Sequence, residues 1–333
     1  QKVILVIMDS TLARGLQTDE VSQELEKMLS SYPQVYNFLG ARCYQYKGFL
    51  FTSKLMSGLI ACQQSFQARD SDILLATFPK SGTTWLKAIM FAVTQRDRFA
   101  DMASHPLRSA NSHTLIPYLE FDAQFGNKES VEFESGGSQR LMFTHMPIVA
   151  LPESVMTSGC KIVYLSRNPK DTFVSLWHFV NRIDKHRDAL TLEDYVDAFC
   201  HGNIIYGPYW ENVLGYWEKA NENPEKILFL KYEELLKNPE EMIRKIAEFL
   251  GFPFSKEEEA EGLPDEILNL CSINNMRYLE VNKTGSFHNF IPNETYFRKG
   301  QAENWVNFLT DDMGNKIDQF TAHKFGETSL KFD

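Results

Sequence analysis

Four short apolar runs recur along the chain, and each has the length of a single strand. They are Ile73–Thr77, Leu141–Thr144, Lys161–Leu165 and Lys226–Leu230. Short apolar runs of this kind are typical of parallel strands that are covered on both faces of a sheet. We therefore predict four buried strands.

Apolar residues with helical spacing follow three of these runs. The first such segment is residues 84–93, the second begins at Pro169 and continues through Phe179, and the third opens at Asn238 and ends before Gly251. Strands that alternate with helices predict an α/β fold with a central parallel sheet flanked by helices. Because the chain shows no internal repeat or clear linker, we predict a single α/β domain.

The first residues of the chain follow a different pattern. We interpret residues 1–45 as an N-terminal extension and residues 46–333 as the domain; residues 51–66 have helical spacing. The run Val3–Met8 is apolar for six residues, too few for a signal peptide or a membrane span of about 20 residues. We therefore expect a cytoplasmic protein with no membrane partner. The chain does not begin with Met, so we expect the native start to lie elsewhere.

Composition, net charge and cysteine count limit the classes of partner and of binding site that we expect. The chain has 333 residues, 43% of them hydrophobic and 23% charged, which is typical of a globular protein. A net charge of −10 repels phosphate backbones at long range, so nucleic acid is not expected as a partner. The five cysteines are odd in number and form no Cys-x-x-Cys pair, which argues against a disulfide framework or a zinc site.

The loop after the first strand carries the groups that an anionic nucleotide requires. Loops at the carboxyl ends of parallel strands bind ligands, and a following helix N-terminus attracts anions. Taken alone, Pro79–Gly82 would more often be an ordinary turn between a strand and a helix. An ammonium, small residues, hydroxyls and an indole come from Lys80, Ser81, Gly82, Thr83, Thr84 and Trp85.

The spacing of this loop differs from that of a nucleoside triphosphatase. The P-loop motif places Lys after its second Gly and directly before Ser or Thr, whereas Lys80 precedes Gly82. The strand that ends at Leu165 is followed by Ser166-Arg167, which suits a phosphate and not a metal ion. We therefore predict no metal site.

Three segments, in this order, resemble motifs of the cytosolic sulfotransferases. Phe78–Met90 resembles the 5′-phosphosulfate loop of that family. Tyr164–Asp171 with Ser175 resembles its 3′-phosphate strand and helix, and Tyr296–Gly300 with Trp305 resembles its C-terminal nucleotide clamp. Similarity extends from about residue 40 to the C-terminus, and its details are most like the plant branch.

The resemblance implies a single α/β domain with a P-loop-kinase-like phosphosulfate loop and no metal. It implies in-line transfer of a sulfuryl group from 3′-phosphoadenosine 5′-phosphosulfate to a hydroxyl, or a similar nucleophile, of a small plant metabolite. Flavonoids, brassinosteroids, hydroxyjasmonates and desulfoglucosinolates are all acceptors in that branch, and the sequence does not choose among them. We expect the walls of the acceptor pocket to come from variable loops, including residues 181–210 and residues 111–139, which hold Tyr118, Phe121, Phe125 and Phe133. Of the animal dimer motif only Thr310 is present, so we expect a monomer or a weak dimer.

The resemblance also implies roles for individual residues. Lys80 would contact the bridging oxygen of the donor, and His145, in a Thr-His-x-Pro pattern, would be the catalytic base. An unperturbed imidazole pKa near 6.5 suits that task. The remaining donor contacts would come from Trp85 and Tyr232 at adenine, from Arg167, Ser175 and Arg298 at the 3′-phosphate, and from Lys299 and Gly300 in the clamp.

The chain departs from the family pattern at two of these places. Phe143 stands where many animal enzymes have a Lys, two residues before the catalytic His. Glu303 replaces the second Gly of the clamp, and it either points outward or weakens donor binding.

Two other functions remain open at this point. One is a nucleotide-binding regulator without catalysis, although such a protein would have no need of His145 as a base. The other is a small-molecule kinase that uses ATP, which predicts a magnesium requirement and Asp ligands.

Overall fold

The computed structural model describes residues 23–122, 139–183, 190–288 and 291–332. Its strands are β1 (Gln34–Tyr36), β2 (Arg42–Tyr46), β3 (Phe49–Thr52), β4 (Ile73–Thr77), β5 (Leu141–Thr144), β6 (Lys161–Ser166), β7 (Ile227–Lys231), β8 (Ser286–Phe287) and β9 (Ile291–Pro292).

Sixteen α-helices are present in the described parts of the chain. They are α1 (Gln23–Leu29), α2 (Ser53–Ser65), α3 (Thr83–Thr94), α4 (Ser112–Leu115), α5 (Leu119–Asp122), α6 (Glu153–Thr157), α7 (Pro169–Ile183), α8 (Leu192–Cys200), α9 (Tyr209–Glu222), α10 (Tyr232–Lys237), α11 (Pro239–Leu250), α12 (Lys256–Glu261), α13 (Leu263–Cys271), α14 (Ile273–Met276), α15 (Glu280–Lys283) and α16 (Asp311–Phe325). Among these helices, none combines the length and apolarity that a membrane span requires.

A parallel sheet of four strands forms the centre of the fold, in the order β5-β4-β6-β7. Leu75 of β4 pairs with Phe143 on one side and with Val163 on the other, and all three side chains are buried. The chain passes from β4 to β5 and then crosses to β6, so its direction of winding reverses at β4. In open parallel sheets, ligands bind beyond the carboxyl ends of the strands at such a reversal.

The predicted α/β fold is confirmed, and the four predicted strands are the strands of this sheet. β4 and β5 have the predicted bounds, whereas β6 extends one residue further and β7 is shifted by one residue. The helices predicted after β4, β6 and β7 are α3, α7 and α11. Asn238 is the N-cap residue of α11, but its side chain accepts no hydrogen bond from the first turn of that helix.

A second sheet precedes the central one. β1, β2 and β3 form an antiparallel sheet in which Tyr44 pairs with Phe51, and both side chains are buried in the core. The predicted boundary at residue 45 falls within β2, and the predicted helix over residues 51–66 begins only at Ser53, since Phe51 belongs to β3.

Candidate active site

One continuous cavity crosses the carboxyl edge of the central sheet. Most of the residues predicted to bind a donor or to act in catalysis line it. They are Lys80, Gly82, Thr83, Thr84, Trp85, His145, Arg167, Ser175, Tyr232, Arg298 and Gly300. Ser81 is fully buried behind the wall of the cavity, and Lys299 is exposed outside it.

The loop between β4 and α3 is tightly wound and closely packed. Lys80 and Gly82 both have positive φ, 73° and 110°, and Gly82 is the N-cap of α3. A Cβ at Gly82 would lie 2.6 Å from Cδ2 of Tyr232 and 3.0 Å from a methyl group of Leu165. Only glycine therefore fits at this position without a clash. Thr83 and Thr84, at the N-terminus of α3, line the cavity.

Four cationic side chains line this cavity: Lys80, Arg167, Arg182 and Arg298. Burial, followed by the charges of Arg298, Arg182 and Arg167, lowers the pKa of the Lys80 ammonium to about 7. Its Nζ lies 3.9 Å from the centre of the Phe179 ring. Like charges are costly when they are held together in a poorly solvated site, unless an anion offsets them. Because the chain as a whole is acidic, this cluster is a strong indication that the cavity binds a polyanion.

The Arg167 guanidinium is held in place from several sides. Its Nη2 donates to the carbonyl oxygen of Gln301 at 2.7 Å and lies 3.6 Å from Oδ2 of Asp171. Its Cζ lies 4.4 Å from the ring centre of Tyr232. Its Nε is buried and has no hydrogen-bond partner among the described atoms. The group is thus pre-oriented and still has a donor to offer.

The segment that carries Arg298 is fastened to α7. Nη1 of Arg298 donates to Oδ1 of Asn304 at 2.6 Å. The carboxylate of Asp171 accepts from the backbone N–H groups of Glu303 and Trp305 at 2.7 and 3.0 Å. These bonds place Arg298 on the same cavity wall as Arg167.

The backbone conformation at Glu303 explains why glycine is usual at this position of the clamp. Its φ is 55°, in the left-handed region that favours glycine. The residue is exposed and does not line the cavity. Of the two alternatives raised by the sequence, the structure therefore favours the outward-pointing one.

The two aromatic residues predicted to contact adenine lie against each other. Trp85 and Tyr232 meet edge to face, with ring centres 5.8 Å apart, and both are largely buried. Nε1 of Trp85 has no hydrogen-bond partner in the described structure. The two ring planes stand at 78° to each other, so one ring can offer its face to a planar base while the other meets the edge of that base.

His145 directly follows β5, and its imidazole reaches the end of β4. Nδ1 lies 2.7 Å from the carbonyl oxygen of Thr77, which can only accept a hydrogen bond. Nδ1 therefore carries the ring proton, and Nε2 keeps its lone pair. Burial lowers the pKa of this imidazole to about 3, so the ring stays neutral at physiological pH. A neutral His of this tautomer can act as a general base.

A buried carboxylate holds the turn that carries His145. Oε1 of Glu120 accepts from the backbone N–H of His145 at 2.9 Å, and Oε2 accepts from Oγ1 of Thr144 at 2.7 Å. Burial raises the pKa of Glu120 to about 7. The Tyr206 hydroxyl also bonds to this carboxylate and to the Tyr118 hydroxyl. The network fixes both the base and the two tyrosines beside it.

Aromatic side chains dominate the cavity beyond His145. The loops predicted to form acceptor walls, residues 111–139 and 181–210, contribute Tyr118, Phe121 and Tyr206, among others. Phe125 and Phe133, also singled out in the sequence, lie outside the described residues. The ring centres of Tyr118, Phe143 and Tyr206 lie 5.5, 5.6 and 5.5 Å from that of the His145 imidazole. Phe38, Phe121 and Phe287 also line the cavity, together with aliphatic residues such as Leu55 and Ile204.

Reasoning from the sequence missed Arg182. This residue lines the cavity and lies close enough to depress the pKa of Lys80. A signal existed, because Ser175, His178, Phe179 and Arg182 are spaced i, i+3, i+4 and i+7 along α7 and therefore share one helix face. All four line the cavity.

No group of three or more His, Cys, Asp or Glu side chains within the described ranges is arranged to hold a metal ion.

The chain is similar to known proteins over almost its whole length. The family model that matches is the Sulfotransferase domain, over residues 70–329. Cytosolic sulfotransferase 13 of Arabidopsis thaliana is 43% identical over 326 residues, which cover 97% of this chain and 98% of that protein. Flavonol 4′-sulfotransferase of Flaveria chlorifolia is 43% identical over 290 residues, 86% of this chain and 89% of that protein.

A similar solved structure is mouse sulfotransferase SULT7A1 complexed with PAP. It matches with a TM-score of 0.65 and 26% identity, and the match covers 86% of this chain and 95% of that chain. The region that the family model matches includes the loop after β4, the start of α7 and the segment around Arg298.

Proposed function

The chain belongs to the sulfotransferase family, as an enzyme of the plant cytosolic type, and on this basis we propose that it sulfates a flat, hydrophobic, hydroxylated plant metabolite. The donor is 3′-phosphoadenosine 5′-phosphosulfate, and His145 is the base. One observation carries the proposal: a single cavity joins four cations to a neutral imidazole and continues between aromatic walls.

The residues present fit this donor at both of its charged ends. Lys80 and the N-terminus of α3 suit the phosphosulfate, because N–H groups and an ammonium converge there. Arg167, Ser175 and Arg298 suit the 3′-phosphate, since the unpaired Nε of Arg167 needs an acceptor. The rings of Trp85 and Tyr232 suit the adenine between the two ends. SULT7A1, which shares the fold, was solved with PAP.

When bound, the donor supplies an activated sulfuryl group on a phosphate leaving group. Lys80 offsets the negative charge that grows on the bridging oxygen as the S–O bond breaks. Nε2 of His145 takes the proton of the acceptor hydroxyl, whose oxygen bonds to sulfur. Glu120 keeps His145 in place by accepting a hydrogen bond from its backbone N–H.

The shape and charge of the acceptor end favour a planar phenol such as a flavonoid. Its walls are aromatic, and stacking on such rings suits flat ring systems. The Lys and Arg residues among the described cavity residues all belong to the donor cluster, so the lining of the acceptor end is mainly aromatic and aliphatic. The similarity to a flavonol sulfotransferase supports the same class.

An acceptor screen tests this choice. With sulfur-labelled donor, we expect flavonoid phenols to be sulfated with higher kcat/KM than a brassinosteroid, a hydroxyjasmonate or a desulfoglucosinolate. The reason is that only the planar phenol both stacks on the walls and presents a hydroxyl to His145. A hydroxyjasmonate as the best acceptor would contradict the assigned class without affecting the donor site.

Ligand-induced stabilisation tests the donor. We expect PAP to raise the Tm of the protein, because a ligand at 100 times its Kd stabilises the native state by about 2.7 kcal/mol. ATP with magnesium should have little effect, since it lacks the 3′-phosphate. Equal stabilisation by ATP and magnesium would favour the kinase alternative.

The variant Arg298→Ala tests recognition of the 3′-phosphate in particular. It should weaken PAP by about 10- to 100-fold, the worth of a charge-assisted hydrogen bond, and leave 5′-AMP affinity almost unchanged. Arg244→Ala is the matched control, because Arg244 pairs with Glu259 at the surface of α11. Undiminished preference for PAP in Arg298→Ala would remove this residue from the 3′-phosphate site.

A further inference from the structure

A fully buried lysine lies behind the donor loop. Lys87 is on α3, one turn beyond Thr83, and its side chain is 0% exposed. Its Nζ lies 2.9 Å from the centre of the Phe143 ring and 3.4 Å from Nδ1 of His113. Burying an ammonium costs free energy unless neighbouring groups stabilise its charge. The Phe143 ring and the His113 imidazole are two such groups beside Lys87.

His113 connects this lysine to the donor loop. Nε2 of His113 lies 2.9 Å from Oγ1 of Thr84, which lines the cavity. The His113 ring is stacked on Tyr296, with ring centres 3.9 Å apart and planes at 24°. The imidazole is thereby fixed between Lys87 on one side and Thr84 on the other.

The direction of the hydrogen bonds follows from the chemistry of the groups. An ammonium can only donate, so Nδ1 of His113 accepts from Lys87. A neutral imidazole has one N–H, which must then be on Nε2, and this N–H donates to Oγ1 of Thr84. With its oxygen already accepting, the Thr84 hydroxyl can donate its own hydrogen into the cavity.

We propose that Lys87, His113 and Thr84 form a relay that turns the Thr84 hydroxyl into a polarised donor for the 5′-phosphosulfate end of the nucleotide. Lys87 and His113 are positioning residues in this scheme, because they act through Thr84. Successive hydrogen bonds polarise one another, and the charge of Lys87 therefore strengthens the last donor of the series.

The relay also accounts for the departure at Phe143. Many animal enzymes have a lysine at this position, and here a ring occupies it. The ring lies against Nζ of Lys87 as a cation–π partner. The positive charge absent from position 143 is thus supplied from α3, through a ring that helps to solvate it.

The test distinguishes binding of the 5′ end of the nucleotide from binding of its 3′ end. This inference rests on the donor site proposed above. The relay acts only at the 5′ end, so the probes are PAP and adenosine 3′-monophosphate, which lacks the 5′-phosphate. The measured quantity is the ratio of the two affinities by calorimetry. In Lys87→Met, which keeps the length of the side chain, we expect this ratio to fall by about tenfold, with affinity for adenosine 3′-monophosphate unchanged.

Changes at His113 test the connection. His113→Phe keeps the stacking on Tyr296 and should lower the ratio as much as Lys87→Met, and the double variant should lower it no further, because both break one relay. His113→Gln can accept from Lys87 and donate to Thr84, so it should recover most of the ratio. Lys245→Met, at an exposed position of α11, is the control for loss of a lysine.

The outcomes are distinguishable. Equal affinity of the unaltered protein for the two probes would overturn the donor site itself. A ratio unchanged in Lys87→Met, or a loss of affinity shared equally by both probes, would overturn the relay and leave the donor site standing. If His113→Phe fails to fold, Lys87→Met combined with Thr84→Val decides the matter, since additive losses would show that the two residues act separately.

Discussion

Replacing His145 with alanine is expected to lower kcat by about 10²- to 10⁴-fold, the usual contribution of a general base. Nδ1 of His145 donates to Thr77, which leaves Nε2 unprotonated in the cavity, and no other side chain on the described wall has an imidazole held in this way. PAP affinity should persist, because the donor contacts lie on other elements. Single-turnover kinetics with labelled donor, together with calorimetry for PAP, measure the two effects separately.

Two controls accompany this variant. His201→Ala removes an exposed imidazole that directly follows α8 and does not line the cavity, and it should leave kcat unchanged. Glu120→Gln keeps the acceptor for the His145 backbone N–H through its amide oxygen, so it should lose far less activity than His145→Ala. Full turnover in His145→Ala would assign the base to another group, and His178, which also lines the cavity, would be the next to test.

The central sheet could be predicted almost to the residue because its signal is local. Each strand is a short, mainly apolar run, and β4, which is buried along its whole length, has the predicted bounds, whereas Leu228 and Phe229 of β7 are only partly buried. The hairpin of β2 and β3 was missed. Its turn at Lys47 and Gly48 has positive φ at both residues, which is the geometry of a tight hairpin, but the short strands beside it give a weak pattern. The helical spacing of residues 51–66 therefore predicts Phe51 in the helix that follows, whereas it belongs to β3.

The residues of the candidate site also differ in whether the sequence alone could predict them. Lys80, His145 and Arg298 lie in compact motifs, and the structure brings all three to one cavity. Glu120 and Lys87 could not be predicted, because their surroundings come from segments distant in the chain. Glu120 meets β5 across 25 residues, and Lys87 meets His113 across 26. The type of a charged residue does not by itself show that its side chain will be buried.

Lys80→Met is expected to lower kcat by about 10²- to 10³-fold, as does loss of one group that stabilises charge in a transition state. Arg298 and Arg182 raise the electrostatic potential around Lys80, and its ammonium is the lining cation placed on the donor loop itself. Stopped assays under saturating donor measure this effect. Lys245→Met again serves as the control, and an equal loss of activity in both variants would show that the effect is not specific to the loop.

The lowered pKa of Lys80 makes donor binding a proton-linked event. Its pKa is about 7 because of burial and the neighbouring arginines, so at pH 8 the amine is mostly neutral in the free protein. An anion bound beside it favours the charged form and raises the pKa, so the amine takes up a proton on binding. At pH 8 we expect uptake of up to about one proton more per PAP in the unaltered protein than in Lys80→Met. At pH 6 the amine is already charged, and the difference between the two proteins should vanish. Calorimetry in buffers of different ionisation enthalpy measures it, and identical proton uptake by both proteins at pH 8 would place Lys80 away from the bound anion.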